Sequence, residues 1–202
     1  SVVYAGKLHA APYVVRGLPK AQKMAMQDLT YSPWLVAALH LKEAAANLGQ
    51  LAWENVLYDS PSVGYVYAGH QAQSAADTKG TLVYYRPFTE DVSLSREALL
   101  RRGHGYWADT VMADLVSAHP IMADIVEKLD LYIWGHGMVR PVPELIWGSG
   151  RYWREQAHGS VAFATCDVSG LPLFEEAAFW GIRAAEHCLN VLGVNFQTFL
   201  SG

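Results

Sequence analysis

The residues best suited to chemistry lie near the end of the chain, where an acidic side chain separates a short apolar run from a helix. Asp167 follows an apolar run at residues 161–165, and a Ser-Gly turn then leads to a helix that opens with Glu175 and Glu176. A helix N-terminus offers free N–H groups and a partial positive charge, so it can hold a phosphate or the electron-rich N1–C2=O2 edge of a flavin. An aspartate at the carboxyl end of a strand can accept hydrogen bonds from ribityl or ribose hydroxyls. The same spacing also fits an ordinary strand–helix unit in which Asp167 only shapes the turn.

Positioning these groups requires a buried strand and a helix that packs closely on it. Residues 161–165 predict the strand, and the helix after them carries mostly small residues at three- and four-residue spacing. Small residues let a helix approach a sheet closely, as packing around a dinucleotide demands. The predicted packing stripe consists of Phe174, Ala177, Ala178, Gly181, Ala185, Cys188, Leu189 and Leu192.

The first part of the chain predicts a series of strands and one short helix. We expect a strand at residues 2–5 and a helix at residues 17–28. Residues 31–43 fit a strand or a buried helix, because periodicity alone does not decide between them. Three further strand candidates, which together would form an antiparallel sheet, lie at residues 53–58, 64–69 and 81–86.

The middle of the chain predicts helices. Residues 95–119 predict a helix with Ser93 or Ser95 as its N-cap, which Gly103 and Gly105 divide in two. One apolar face of this helix is predicted from the four-residue spacing of Trp107, Val111 and Leu115. After it we expect a short helix at 120–128, a strand at 129–135 and a connection rich in Pro, Gly and Trp at 140–154.

Composition narrows the class of protein. The chain has 202 residues, of which 51% are hydrophobic and 17% are charged, as is usual for one large or two small globular domains. The net charge of -4 provides no basic surface for nucleic acid. The apolar runs are much shorter than a membrane span. Only Cys166 and Cys188 are present, which is too few for a disulfide framework and favours small core residues.

Other chemistries have weaker support. Four histidines lie beside glycine or in loop-like sequence, but no H-x-x-x-H or C-x-x-C pattern supports a metal site, and no G-x-S-x-G motif supports a hydrolase. Aromatic residues are abundant, and a few of them suit an ammonium substrate through cation–π contact. Asp59 and Glu144 are carboxylates that could pair with a distal amine, although solvated loop carboxylates are more common. The histidines are His70, His104, His136 and His158, and the aromatic candidates are Trp53, Tyr65, Tyr67, Tyr84 and Trp134.

Several stretches of the chain resemble the C-terminal half of FAD-dependent amine oxidases, in particular the branch that contains spermidine dehydrogenase. The similarity covers nearly the whole chain. Its most specific parts are WGHGMVRP at residues 134–141 and the helix start FEEAAFWG at residues 174–181. Further support comes from LTYSPWLVAALHLKE, WENVLYDSPSVGYVYAGHQ, TLVYYRPF, the segment that ends in DLVSAHP, and GSVAFATCDVSGLPLFEEAAFWGIRAA.

The resemblance implies an α/β (mixed α+β) fold, in which a substrate-domain sheet has flanking helices and a strand and helix close a Rossmann-like FAD domain. It implies an FAD-domain segment at 1–30, a substrate-binding domain at 31–140 and a C-terminal FAD-domain strand and helix at 141–202. FAD would be the cofactor, with Asp167 as its acidic contact and His136 near the flavin as the catalytic candidate, while a structural role for the His136 ring fits the sequence equally well. At the helix start, the resemblance places Phe174, Glu175, Glu176 and Ala177 beside the pyrimidine edge of the flavin, and the candidates for substrate contact are Trp53, Tyr65, Tyr84 and Trp134.

One feature of the family is absent from these residues. The family's first βαβ unit carries G-x-G-x-x-G for the pyrophosphate, whereas the G-x-G pairs at Gly103 and Gly135 lack the third glycine. The chain also begins within a strand-like run with no starting Met, which suggests a piece of a longer protein or a processed subunit. We therefore expect a second chain or an N-terminal half that carries the glycine-rich motif. The alternative is a non-catalytic binding or assembly protein that kept the fold and lost the cofactor.

Overall fold

The structure is a computed structural model that describes residues 1–42, 52–71 and 80–200. Its strands are β1 (Val2–Tyr4), β2 (Tyr31–Leu41), β3 (Glu54–Asn55), β4 (Gly64–Tyr67), β5 (Thr81–Pro87), β6 (Val126–Val139) and β7 (Val161–Phe163). Its α-helices are α1 (Ala11–Val14), α2 (Lys20–Gln27), α3 (Val92–Arg101), α4 (His104–Ala118), α5 (Met122–Ile125), α6 (Pro143–Trp147), α7 (Gly150–Glu155) and α8 (Phe174–Val191). Short 3₁₀ turns lie at Leu8–Ala10, Ala68–Gln71 and Cys166–Val168. The predicted mixed α/β fold class is confirmed.

The chain divides into two compact units. Unit 1 comprises Ser1–Tyr31 and Met138–Gly202, and unit 2 comprises Ser32–Gly137. Each unit has its own cluster of buried apolar side chains. Whether unit 1 belongs to an FAD domain and unit 2 to a substrate domain stays a prediction.

The sheet of unit 2 has the order β3-β4-β5-β2-β6. β2 pairs antiparallel with β5, from Trp34 opposite Pro87 to His40 opposite Thr81. The ambiguous stretch at 31–43 is therefore a strand through Leu41, while Glu43 lies outside the described residues. The strands predicted at 64–69 and 81–86 are confirmed, although β4 ends at Tyr67 before a 3₁₀ turn and β5 continues to Pro87.

Burial alternates along β2 because only one face of the sheet is covered by helices. Leu35, Ala37 and Leu39 are fully buried, whereas the residues between them are half-buried. The buried face packs on α3, α4 and α5. In α4 the predicted apolar face is confirmed, since its buried residues are Trp107, Val111 and Leu115.

Several predicted boundaries in unit 2 are wrong. The helix predicted from Ser95 begins at Val92, because the Asp91 carboxylate accepts a hydrogen bond from Leu94 N and caps it in place of Ser93 or Ser95. The predicted break is confirmed at Gly103, but Gly105 lies inside α4. The strand predicted at 53–58 is limited to Glu54–Asn55. The helix predicted at 120–128 is limited to Met122–Ile125, after which the chain turns directly into the long strand β6.

Unit 1 is built on two parallel strands. β1 pairs with β7 in the register Val2 opposite Val161 and Tyr4 opposite Phe163. The core around them includes Leu8, Met26, Tyr31 and Trp180. The stretch at 140–154 is not only a connection, since it contains α6 and α7.

The packing stripe predicted for α8 is wrong. The buried residues of α8 are Trp180 and Ala184, one helical turn apart, and Trp180 belongs to the core of unit 1. Phe174 is 82% exposed, and Leu192 is also exposed. A sheet of two strands covers only a narrow part of an 18-residue helix, which leaves the rest of its apolar surface open.

Gly64 is essential to the turn into β4, so replacing it with Ala should destabilise unit 2 by about 2–4 kcal/mol. Gly64 has a φ of 110°, and an added Cβ would lie 2.0 Å from the backbone oxygen of Asn55. The measurement is urea unfolding of the Gly64→Ala protein. The matched control is Gly105→Ala, where an added Cβ meets nothing within 4 Å and should raise stability by up to about 1 kcal/mol. Equal unfolding midpoints for the two variants would contradict this prediction.

Candidate flavin-binding site

The Asp167 side chain is fully buried in unit 1, in the turn that follows β7. The chain leaves β7 at Phe163, and the Thr165 hydroxyl caps the 3₁₀ turn by accepting a weak hydrogen bond from Asp167 N at 3.4 Å. The two oxygens of the Asp167 carboxylate then have different environments. Oδ2 accepts a hydrogen bond from Leu8 N at 2.9 Å and another from the Tyr31 hydroxyl at 2.5 Å.

Oδ1 of Asp167 is buried and has no hydrogen-bond partner among the described residues. A buried carboxylate oxygen without a donor is costly, so such an atom in a folded protein calls for an explanation. A ligand hydroxyl or N–H group would satisfy it. A carboxylate acceptor at this position fits the hydroxyls of a ribityl or ribose chain, which is the chemistry expected from the sequence.

Arg154 holds the turn that carries Asp167. It is buried in α7, and its guanidinium donates to the backbone oxygen of Val168 at 3.2 Å and to that of Leu145. Burial lowers the pKa of Arg154, and the neighbouring positive charge of Arg151 lowers it further. An arginine stays charged even so, and it therefore ties the turn to α6 through charge-assisted hydrogen bonds.

The N-terminus of α8 follows the turn by a few residues. No side chain caps it at Leu173, and the backbone N–H groups of its first turn therefore have no capping acceptor there. Glu175 and Glu176 lie in that first turn and balance part of its positive charge. This balance favours a neutral hydrogen-bonding edge, such as that of a flavin pyrimidine, over a phosphate. The predicted contacts Phe174 and Ala177 are respectively exposed and half-exposed.

The residues predicted to contact substrate, and the catalytic candidate, all lie in unit 2, but in different environments. Trp53 is 62% exposed, Trp134 is 56% exposed, and His136 is exposed on β6. Tyr65 and Tyr84 instead lie in the core between the sheet and the helices. Their side chains point to the covered face of the sheet, and this placement argues against the predicted contact of Tyr65 and Tyr84 with a substrate.

The hydroxyls of these two tyrosines already have partners. The Tyr65 hydroxyl lies 2.8 Å from His119 Nε2, and the Tyr84 hydroxyl donates to Asp114 Oδ2 at 2.8 Å. Burial raises the pKa of Tyr65, and burial together with the Asp114 hydrogen bond raises that of Tyr84. Both therefore stay neutral at physiological pH and act as core residues.

The other face of the unit 2 sheet is only half-buried and carries aromatic and aliphatic side chains. In β2 these are Trp34, Val36 and Ala38, which alternate with the core residues. On the same face, the Tyr85 hydroxyl donates to Glu54 Oε1 at 2.9 Å. Neither Trp34 nor Tyr85 was among the predicted site residues, although the alternation at 31–43 places Trp34 on the face opposite the core residues.

One cavity of unit 2, of about 290 Å³, is lined by Asp59, one of the two carboxylates that could pair with a distal amine. A cavity of about 460 Å³ lies beside Arg86, Phe88 and Arg102, and no predicted site residue lines it. Within residues 1–42, 52–71 and 80–200, no group of three or more His, Cys, Asp and Glu side chains is placed to hold a metal ion. The side chain of His70 lies outside the described residues. No helix in the described part of the chain combines the length and the apolar character that crossing a membrane requires.

Solved structures of several enzymes share this fold at low sequence identity. Cyclohexylamine oxidase from Brevibacterium oxydans IH-35A matches with a TM-score of 0.70 and 15% identity, over 95% of this chain and 43% of that one. Wild-type putrescine oxidase bound to putrescine matches with a TM-score of 0.66 and 14% identity, over 95% and 42% of the two chains. Reduced UDP-galactopyranose mutase matches with a TM-score of 0.62 and 10% identity, over 97% and 42%.

These matches show that the chain has part of the fold found in amine oxidases and related flavoenzymes. It spans about two fifths of the length of the matched structures, from 42% to 43%. No protein-family model matches the chain, and no curated protein matches it. The particular similarity of this chain to the branch that contains spermidine dehydrogenase stays a prediction.

Proposed function

We propose that this chain is the C-terminal portion or a subunit of an FAD-dependent oxidoreductase of the amine oxidase class. The observation that carries the proposal is the buried Asp167 carboxylate, which keeps one oxygen without a partner among the described residues, between a parallel strand and the start of a long helix. The fold shared with putrescine oxidase and cyclohexylamine oxidase supports it. The reaction would be the oxidation of an amine, or of a similar C–H donor.

When bound, FAD would supply the acceptor for a hydride from the carbon beside the amine nitrogen. Asp167 Oδ1 would accept a hydrogen bond from a hydroxyl of the cofactor. The first-turn N–H groups of α8, at Phe174, Glu175 and Glu176, would donate to its pyrimidine edge. Half-exposed Ala177 would leave room for this approach because its side chain is a single methyl group.

The proposed substrate contacts lie in unit 2. Exposed indole rings attract an ammonium group through their π-faces, so Trp53 and Trp134 are the retained candidates. His136 stays a proposed catalytic residue, because its ring is exposed and it lies two residues after Trp134 on β6. The half-buried sheet face at Trp34 and Tyr85 would add apolar surface for the carbon chain of the amine.

The apolar surface of unit 1 supports a missing partner or half. Five large apolar side chains on α8 and at its start are exposed, and a second segment that packed on this helix would bury them. The exposed group consists of Leu173, Phe174, Phe179, Val191 and Leu192. We propose that a polypeptide carrying G-x-G-x-x-G covers this surface and supplies the pyrophosphate contacts.

The proposal is tested by a visible absorption spectrum of the protein from its native source, with a denaturing gel of the same sample. A flavin spectrum is expected, together with either a second band or a chain longer than these residues. The G-x-G-x-x-G motif should be found by sequencing that band or the added part. A colourless sample that contains this chain alone would contradict the proposal and support the non-catalytic binding protein.

The chain expressed alone should self-associate through the α8 surface, and the double variant Phe174→Ser with Leu192→Ser should reduce this association at least severalfold. Both side chains are exposed and apolar, so removing them removes the driving force for non-specific contact. Sedimentation velocity measures the effect. The control is Tyr58→Ser, at an exposed aromatic residue of unit 2. A wild-type chain that sediments as a monomer would argue against the uncovered surface.

A further inference from the structure

Tyr31 is placed to control how the Asp167 carboxylate is presented. It is the first residue of β2 and the last residue of unit 1 before the chain enters unit 2. Its hydroxyl lies 2.5 Å from Asp167 Oδ2, which is the shorter of the two hydrogen bonds that this oxygen accepts. A short O–H···O⁻ bond is among the stronger hydrogen bonds in proteins.

The Tyr31 ring is fixed by its surroundings. The side chain is fully buried, and the ring packs edge-on against the His9 ring, with 4.6 Å between the two centroids. The Lys7 ammonium lies 5.2 Å from the centroid of the Tyr31 ring. Burial raises the pKa of Tyr31, and the charge of Asp167 raises it further, so the hydroxyl keeps its proton and can donate. A ring held in this way directs its hydroxyl to one place.

The two oxygens of the Asp167 carboxylate differ in their hydrogen bonds. Leu8 N and the Tyr31 hydroxyl both approach Oδ2, while Oδ1 receives no hydrogen bond from the described residues. A carboxylate free to rotate could exchange its oxygens, but two donors on the same oxygen oppose that rotation. Oδ1 can only accept, and it therefore selects a ligand group that donates, such as a hydroxyl, and repels a phosphate.

We propose that Tyr31 is a positioning residue for the cofactor: together with Leu8 N it holds Asp167 Oδ2, so that Oδ1 stays oriented to accept a hydrogen bond from a ribityl or ribose hydroxyl of FAD. This inference rests on the proposed function, because it takes FAD as the ligand of Asp167. It extends that function by assigning a role to a residue outside the strand–turn–helix motif.

The test is a double-mutant cycle in the complete flavoprotein, that is, this chain together with its glycine-rich half. Apoprotein is titrated with FAD, flavin fluorescence gives the dissociation constant, and urea unfolding of each apoprotein shows that it is folded. Tyr31→Phe should bind FAD about three- to tenfold more weakly, which corresponds to the loss of one indirect hydrogen bond. In the Asp167→Asn background, the same substitution should have little further effect, because Tyr31 acts through Asp167.

A spectroscopic readout separates positioning from general destabilisation. At saturating FAD, the visible circular dichroism of the bound flavin should change in the Tyr31→Phe protein, since its site holds the cofactor differently. The matched control is Tyr4→Phe, which removes a hydroxyl of the same unit that donates to Lys7 O at 2.9 Å. Tyr4→Phe should leave both the FAD affinity and the dichroism unchanged.

The outcomes distinguish the positioning role of Tyr31 from the cofactor contact of Asp167 and from the proposed function. Wild-type FAD affinity in Tyr31→Phe, or a loss that adds fully to that of Asp167→Asn, would overturn the positioning role while the proposed function stands. Wild-type affinity in Asp167→Asn would remove Asp167 from the cofactor site and the inference with it. Complete protein that binds no FAD at all would overturn the proposed function itself.

Discussion

An Asp167→Asn substitution is expected to weaken FAD binding roughly ten- to a hundredfold, because a hydrogen bond to a charged acceptor contributes about 1.5–3 kcal/mol. Asparagine keeps one carbonyl oxygen, which can still accept from Leu8 N and the Tyr31 hydroxyl. Its amide nitrogen replaces Oδ1 and cannot accept from a ligand hydroxyl. The substitution therefore removes the Asp167 oxygen that lacks a partner among the described residues. The measurement is the dissociation constant of FAD from the complete protein, with flavin content after gel filtration as a second readout.

The control for this substitution is Asp114→Asn in unit 2. Asp114 is a half-buried carboxylate that accepts from the Ser60 hydroxyl at 2.6 Å and from the Tyr84 hydroxyl at 2.8 Å. Its replacement changes the same chemical group in a comparable hydrogen-bonded setting, and it should leave FAD affinity within about twofold of wild type. If both variants retain the wild-type flavin content, Asp167 is a turn residue and the ordinary strand–helix interpretation of residues 161–191 is correct.

The sequence predicted the local order of the candidate site, because that order depends on neighbouring residues. An apolar run, an acidic residue, a turn and a helix start follow one another within residues 161–175, and the structure has β7, the turn at Asp167 and α8 in that sequence. At residues 31–43, the alternation of two sets of side chains was likewise consistent with a strand that has one covered face. The type and order of neighbouring elements depend mainly on the spacing of nearby residues, and distant segments influence them little.

Long-range pairing was not predictable from the same patterns. Leu8 N and Tyr31 contact Asp167 across 159 and 136 positions of the chain, and no local spacing indicates either contact. The predicted stripe of α8 failed for a related reason, since the packed face is decided by the narrow sheet beside it, at Trp180 and Ala184. The abundance of aromatic residues did not distinguish the buried Tyr65 and Tyr84 from exposed aromatic residues. Alternate residues of a strand face opposite sides of the sheet, and which side the helices cover depends on the fold.

Arg154→Ala should lower the free energy of unfolding by about 2–5 kcal/mol, since two buried carbonyl acceptors would each lose a charged donor. Arg154 donates to Val168 O and Leu145 O from a side chain that is only 2% exposed. The loss also removes a large buried side chain, and the cavity left behind adds to the cost. Because Val168 directly follows Asp167, FAD affinity should fall as well. Urea unfolding of the apoprotein and FAD titration of the complete protein measure the two effects.

Arg151→Ala provides the comparison, since both arginines lie on α7 and differ mainly in burial. Arg151 forms an ion pair with Glu155 four residues along the helix, with 2.7 Å between Nε and Oε1, and its side chain is 41% exposed. Surface pairs of this kind contribute about 0.3–0.5 kcal/mol, so Arg151→Ala should unfold close to wild type. Arg154→Lys should be intermediate, because a single ammonium group cannot span two carbonyls as a guanidinium does. If Arg154→Ala were as stable as Arg151→Ala, the turn at Asp167 would owe its order to the Leu8 and Tyr31 hydrogen bonds and not to α7.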